Sequence, residues 1–317
     1  MPSMLLIRLA GAVPDVAPRW LLGAARDICA PTEPGGRPGG PPGDTGAQPY
    51  PGPLPYPGPE PSPGPPPFSV GAPMPDGPPD GALPGDGATT SWRLGWLDDR
   101  SAPPGWPPAT ARFGSQSREV TGAELTRRSY AQLAQGTPTR RVRVTMTTPT
   151  FFSRDGRDLP LPDPALAIQG LLTRWNAFAP GPLRIGAGDA RSLVDAVFLD
   201  GVWGSSAEVE LGHGLRQVGF VGHADLRLMA GTSDFVATMF TALTRFAAFA
   251  GVGERTAYGF GAVDVDILDL PVPRRLVSVP TSRRFDGRRA PATPAAPRPP
   301  DPRAPAPGPQ PGAAPRR

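Results

Sequence analysis

Apolar and polar positions change period along this chain, and the changes mark its elements. Met4–Leu9 reads as a strand. From Pro18 to about Ala30, Leu21, Ala24, Ala25 and Ile28 recur at helical spacing, which predicts a helix. Trp92, Leu94 and Trp96 alternate as on a half-buried strand. Residues 111–120 predict a further strand and 122–135 a short helix. Val142, Val144 and Met146 alternate with Arg143 and Thr145, another strand. Asp163-Pro164 opens a helix, an N-cap acid followed by Pro at the first helical position, with Ile168, Leu171, Leu172 and Trp175 as its buried stripe. Residues 216–229 predict a long strand with Val218, Phe220, Ala224, Leu226 and Leu228 on one face. Gln217, His223, Asp225 and Arg227 fall on the other. Thr232 or Ser233 caps a helix with Phe235, Met239, Leu243 and Phe246 in register, and Val263, Val265 and Ile267 close the series as a strand. The order fits two ferredoxin-like units in tandem, an α+β fold with RRM-like sheets. No internal sequence repeat relates the halves.

Composition divides the chain. It holds 317 residues, of which 49 are Pro and 40 Gly. Residues 31–90 contain 21 Pro and 14 Gly, and residues 285–317 contain 11 Pro. Such stretches bury too little apolar surface to offset their ordering entropy, so both are expected to be disordered. The expected layout is a degenerate N-terminal unit of 1–30 plus 91–139, an insertion at 31–90, a C-terminal unit at 140–273 and a tail at 274–317. The near-repeat Tyr50-Pro-Gly-Pro-Leu-Pro-Tyr56-Pro-Gly reads as a coil or PPII linker, or as a docking site for a PPII-binding partner.

Charge follows the same division. All 32 basic residues are Arg, and the net charge is +4. The tail holds ten Arg against Asp286 and Asp301; the insertion holds Arg37 against six acids. The remaining 21 Arg face 20 acids, so any nucleic-acid footprint there is a local patch and not a global field. One cysteine, Cys29, excludes an internal disulfide framework and a Cys-ligated zinc cluster, and two histidines argue against a multi-His metal site. No metal or cofactor is expected. No run of 18 uncharged apolar residues exists, and Met4–Leu9 is too short for a signal peptide, so neither a membrane span nor a membrane partner is expected and the location is read as cytoplasmic.

The segment richest in chemistry is Gly251-Val-Gly253-Glu-Arg255-Thr256-Ala-Tyr258-Gly259-Phe-Gly261, four glycines in 11 residues. It is no dinucleotide fingerprint, because the helix precedes it and the strand follows. It is no Walker loop, because Gly-Lys-Ser/Thr is absent. A helix-to-strand glycine loop beside a sheet can serve as a simple connection or let a nucleic-acid backbone come close. This run, continued by Ala262-Val263, resembles the C-terminal signature of the CRISPR precursor-RNA processing endoribonucleases of the RAMP superfamily. Three more blocks resemble that family in its order. They are Thr148-Pro149-Thr150-Phe151 with Leu159-Pro-Leu-Pro162, then Leu171-Leu-Thr-Arg-Trp175-Asn176, then Gly219-Phe220-Val221-Gly222-His223. Pro67-Phe68-Ser69-Val70 and Trp92-Arg93 are similar to N-terminal features of the family.

The resemblance implies a tandem ferredoxin-like fold that binds CRISPR repeat RNA, precursor and mature. It also implies one metal-independent cut per repeat by attack of the ribose 2′-OH, and it allows for other effector subunits as partners. RNA contact is expected at Gly251, Gly253, Arg255, Thr256, Gly259 and Gly261, and Arg227, Arg140, Arg141 and Arg143 read either as phosphate-binding candidates or as a solvated surface. The family's histidine near the end of the first helix has no counterpart, because residues 19–67 contain none. His213, in Gly-His-Gly, reads as a loop residue; His223, two residues before Asp225 on the sheet face expected to adjoin the glycine loop, and Tyr258, in that loop, are the substitute catalytic candidates. Arg127 and Arg128 extend the densest basic cluster. Three functions stay open at this point: an endoribonuclease, a catalytically silent crRNA-holding subunit, and an unrelated ligand-binding αβ protein.

Overall fold

The computed structural model describes residues 1–13, 16–29, 64–76, 89–99, 102–212 and 214–268. Most of the expected insertion, and the tail, lie outside these residues.

The N-terminal unit begins with β1 (Ser3–Ala10), α1 (Pro18–Cys29), β2 (Phe68–Val70), β3 (Met74–Asp76) and β4 (Thr89–Trp96). It ends with the hairpin β5 (Thr110–Phe113) and β6 (Gln116–Arg127). The strand order is β2-β4-β1-β6-β5, with β3 also on β4, and every pairing is antiparallel. This is the ferredoxin-like order with its second helix missing, since no helix lies between β4 and β5 among the described residues. Leu21, Ala24, Ala25 and Ile28 of α1 are buried as their spacing predicts, against Leu5, Ile7, Leu9, Trp92 and Trp96.

Two expectations are corrected in this unit. Residues 64–76 fell inside the insertion by composition, yet they hold β2 and β3. Ser69 and Val70 pair with Gly95 and Leu94, and the Trp92 indole N–H donates to the Gly71 carbonyl at 2.9 Å. Residues 122–135 were expected to be helical, but β6 runs to Arg127 and only α2 (Tyr130–Ala134) is helix. The reason is tertiary. Residues 120–127 supply the second strand partner of β1, pairing Leu125 with the buried Leu5 and Ala123 with the buried Ile7. The short α2 survives on a capping box between Ser129 and Gln132.

The C-terminal unit follows the complete motif. Its strands are β7 (Arg141–Thr150), β10 (Val197–Gly212), β11 (Leu215–Leu228) and β12 (Val263–Ile267), in the order β10-β11-β7-β12. A small hairpin, β8 (Phe152–Arg154) and β9 (Arg157–Leu159), leads to α3 (Pro164–Phe178) and α4 (Ala187–Ala196). The last α-helix among the described residues is α5 (Asp234–Ala250). Asp163 caps α3 and Ser233 caps α5, as the sequence predicts. Val142, Val144, Met146, Ala224, Leu226 and Leu228 meet Ile168, Leu171, Trp175, Phe240, Leu243 and Phe246 in one core. Each large side chain buried there contributes roughly 1.5–3 kcal/mol.

Here too two details depart from expectation. Val218 is 39% exposed and Gln217 is buried. The last pair of β11 with β7 is Phe220–Thr150, so β10 and β11 continue as a hairpin beyond the four-stranded sheet, where the alternation no longer faces the helices. Phe235 shares the α5 stripe by register but is 61% exposed, because the core begins one residue later at Val236.

Cys29 ends α1 in the N-terminal core, and burial pushes its thiol up to about 12. Only the thiolate is nucleophilic. The native protein at pH 8 should therefore leave a disulfide exchange reagent unreacted over minutes. One equivalent of thiol should appear on denaturation, and rapid native reaction would contradict the packing of α1.

Candidate nucleic-acid interface

The glycine loop is held as a seam between the two units. α5 ends with Gly251 at φ 71°, and the Val252 N–H donates to the Gly261 carbonyl at 2.8 Å, closing the neck of the loop. The end of β7 supplies the floor. Glu254 N–H donates to Phe151 O at 2.9 Å, and Gly261 N–H to Pro149 O at 3.1 Å. A single 3₁₀ turn, Thr256–Tyr258, then packs on α1 and β2, with Ala257 inside the N-terminal core.

The glycines answer to this packing. A Cβ on Gly261 would stand 1.9 Å from Val252 O, one on Gly253 2.4 Å from Phe151 O, and one on Gly259 2.4 Å from the Leu21 side chain. All three also have positive φ. Their missing side chains are used up by the protein itself, so they need no ligand to explain them. Gly251 and Thr256 are likewise buried in the seam. What the loop offers to solvent is Glu254, Arg255 and Tyr258. Arg255 sits in the left-handed region at φ 51°, its guanidinium 5.9 Å from the centroid of the Phe151 ring.

One residue that sequence reasoning passed over holds the seam together. Arg174, on α3, donates to the carbonyls of Ala250 (2.9 Å), Gly251 (3.1 Å) and Gly253 (2.7 Å). Burial pushes its guanidinium down to about 10, partly offset by the nearby Glu254 charge. The carbonyls at a helix C-terminus carry partial negative charge and lack partners within the helix, and a cation satisfies both. Arg174 lay within the Leu171–Asn176 block, but its partners are about 76 or more residues away in sequence and no local pattern announces them.

The other candidates stand elsewhere. Arg140 binds Asp234 at 2.8 Å and the Thr232 carbonyl at 2.7 Å, fastening the start of α5. Arg141, Arg143, Arg227 and His223 occupy the face of the C-terminal sheet opposite the helices. Arg143 grips the buried Asp225 through Nε (2.8 Å) and Nη2 (3.1 Å), and this bond holds the guanidinium pKa above its ordinary value. Arg141 reaches Asp225 at 3.2 Å and Asp200 at 3.0 Å, and Arg227 approaches Asp200 at 3.9 Å. The arginine cluster is therefore largely matched by its own acids. His223 pairs across to Thr145 on β7, five positions from Thr150, where the loop packs. That is roughly 16 Å along a strand. The structure thus separates His223 from the glycine loop, beside which the sequence placed it. Arg127 and Arg128 are exposed at the end of β6. His213 lies outside the described residues.

Residues 144–263, from β7 to the first residue of β12, match the family model described as CRISPR-associated endoribonuclease Cas6. A Cas6 product complex superposes with a TM-score of 0.62 at 23% identity, covering 84% of this chain and 100% of that one. The fold is that of Cas6. Thermus thermophilus Cas6 gives a TM-score of 0.55 at 21% identity over 84% of this chain and 98% of that one. A CRISPR-associated endoribonuclease Cas6 of Mycobacterium tuberculosis is 30% identical over 161 residues, half of this chain and half of its own length. The match thus spans about half the length of that curated relative. The part shared with the Cas6 model contains the whole seam on its C-terminal side: Thr150, Phe151, Arg174 and the glycine loop. Among the described residues, no helix is long and apolar enough to cross a membrane.

Proposed function

We propose that this protein binds the repeat RNA of a CRISPR transcript in the cytoplasm and processes it as Cas6 proteins do. The observation that carries this is the completed glycine loop, packed between two ferredoxin-like units and exposing Glu254, Arg255 and Tyr258. In the reaction the ribose 2′-oxygen bonds to the adjacent phosphorus as the bond to the 5′-oxygen breaks. The 2′-OH proton passes to a base, and the leaving oxygen takes a proton from an acid. Arg255 supplies positive charge for the phosphorane. Tyr258, three residues after Arg255 on the same exposed loop, supplies a hydroxyl there. A well-tuned acid or base contributes about 10²–10⁴ in rate, so cleavage without a histidine should be slow by that order.

A second reading, a silent crRNA-holding subunit, is favoured by the position of His223 on β11, opposite Thr145 and five positions along β7 from the residue on which the loop packs. One experiment separates the two. Purified protein is incubated with its repeat RNA in EDTA, alongside Tyr258→Phe, His223→Ala and Arg255→Ala. Processing predicts slow cutting that Tyr258→Phe diminishes and His223→Ala leaves alone. Binding without any cutting selects the silent subunit. Arg255→Ala should weaken binding and lower the slope of log affinity against log salt by about 0.7 per phosphate lost on a single strand. Unchanged binding and slope would remove the loop from the interface.

A further inference from the structure

The sheet face opposite the helices carries a feature that neither the loop nor the fold requires. Trp203, on the edge strand β10, is 51% exposed. Its indole occupies the space a Gly201 side chain would take, since a Cβ there would lie 2.4 Å from the ring. The ring therefore lies down on the sheet. On one side it stacks against His223, with centroids 5.1 Å apart and planes inclined by 32°. Arg143 stands 5.5 Å from its centroid, held in place by Asp225. Indole, imidazole and guanidinium are the planar groups on which unpaired bases stack, and an RRM-like sheet presents aromatics on this kind of open face.

We propose that Trp203, flanked by His223 and Arg143, is a stacking site for one unpaired base of an RNA strand crossing the C-terminal sheet. The inference rests on the RNA-binding reading above and adds a second contact region to it. The local charge defines what kind of contact it is. Arg141, Arg143 and Arg227 are matched in large part by Asp200 and Asp225, so the face attracts phosphate weakly and gains through the ring. Arg227, 3.9 Å from its acid and 49% exposed, is the cation free enough to turn toward the strand's backbone. A base stacked on an uncharged ring releases no counterion, so the Trp203 ring should contribute affinity without contributing salt dependence.

The test measures binding of two probes, the repeat RNA and a short unstructured oligo(A) RNA, by wild type, Trp203→Ala and Trp203→Phe across a salt series. Trp203→Ala should weaken oligo(A) binding on the order of tenfold to a hundredfold, with the salt slope unchanged. Trp203→Phe should keep most of the affinity. Far-UV circular dichroism of both variants checks the fold, which a half-exposed edge residue should not govern. Equal affinity of Trp203→Ala and wild type for both probes overturns the stacking site and leaves the repeat-RNA reading standing. A Trp203-dependent oligo(A) complex without repeat-RNA binding does the reverse. A lower salt slope in Trp203→Ala also overturns the proposal, because the residue would then be acting through phosphates.

Discussion

Replacing Gly95 with Ala should cost about 3–5 kcal/mol of stability, the largest effect expected from adding a single methyl group. Gly95 lies on β4 directly beneath the end of α5. An added Cβ would stand 1.7 Å from the Phe249 carbonyl oxygen and 2.6 Å from Ser69 Oγ. Ser69 Oγ itself donates to that carbonyl at 2.6 Å, in a buried site. The methyl group cannot be relieved by a rotamer change, because the first atom it meets is backbone. β4 and α5 must separate, which opens the contact between the two ferredoxin-like units and strips a buried carbonyl of its partner. Gly170, inside α3 with nothing within 4 Å of its absent Cβ, is the control. Gly170→Ala should stabilise by about 0.5–1 kcal/mol through helix propensity. Urea unfolding of the two variants should shift in opposite directions. A Gly95→Ala midpoint equal to wild type would mean that the units do not meet as described.

The second large effect is expected at Arg174. Changing it to Met retains most of the aliphatic stem and removes all three donors to Ala250, Gly251 and Gly253. Leaving buried carbonyls unpaired costs about 1–3 kcal/mol each when water cannot reach them; with partial relaxation a total near 3 kcal/mol is expected. Lys in its place restores a charge but only a point donor, and should recover less than half. The loss is to be read locally as well as globally. Amide hydrogen exchange at Val252, whose N–H donates to the Gly261 carbonyl, and at Gly261, whose N–H donates to the Pro149 carbonyl, should accelerate more than exchange at Val142 and Val144 on an inner strand. Uniform acceleration across both sites would show that Arg174 supports the fold at large and not the loop. The alkaline limb offers a check on sign. The guanidinium is held below its ordinary value, so between about 10 and that value the unfolded chain binds more protons. Stability should accordingly gain slightly from this group as pH rises through that window, and Arg174→Met should lack the gain.

Much of the fold was legible because its causes are local. Helix starts at Asp163 and Ser233 need only a side-chain oxygen, and the alternations at Trp92–Trp96 and Val142–Met146 need only one buried face. The four blocks that resemble the RNA-processing family were readable in the same way, since the residues stand in order along the chain. Composition drew the bounds of the Pro/Gly-rich insertion too widely, sweeping in residues 64–76. Their strands exist only because β4 offers an open edge, which a Pro count does not register.

What tertiary structure alone decided is which of those residues work together. The sequence placed His223 on the sheet near the glycine loop; strand register set it opposite Thr145, well away from the loop and against Trp203. The arginines at 140, 141 and 143 read as one basic cluster. In the fold, alternation along β7 and pairing to Asp234, Asp225 and Asp200 divide them between a helix start and an open sheet face. The glycines read as room for a ligand, and in the fold that room is taken by Val252, Phe151 and Leu21. Period and composition act over a few residues, so one chain displays them. Ion pairing, close backbone approach and the burial of Arg174 join residues tens to more than a hundred positions apart, and only the folded chain brings those partners within reach.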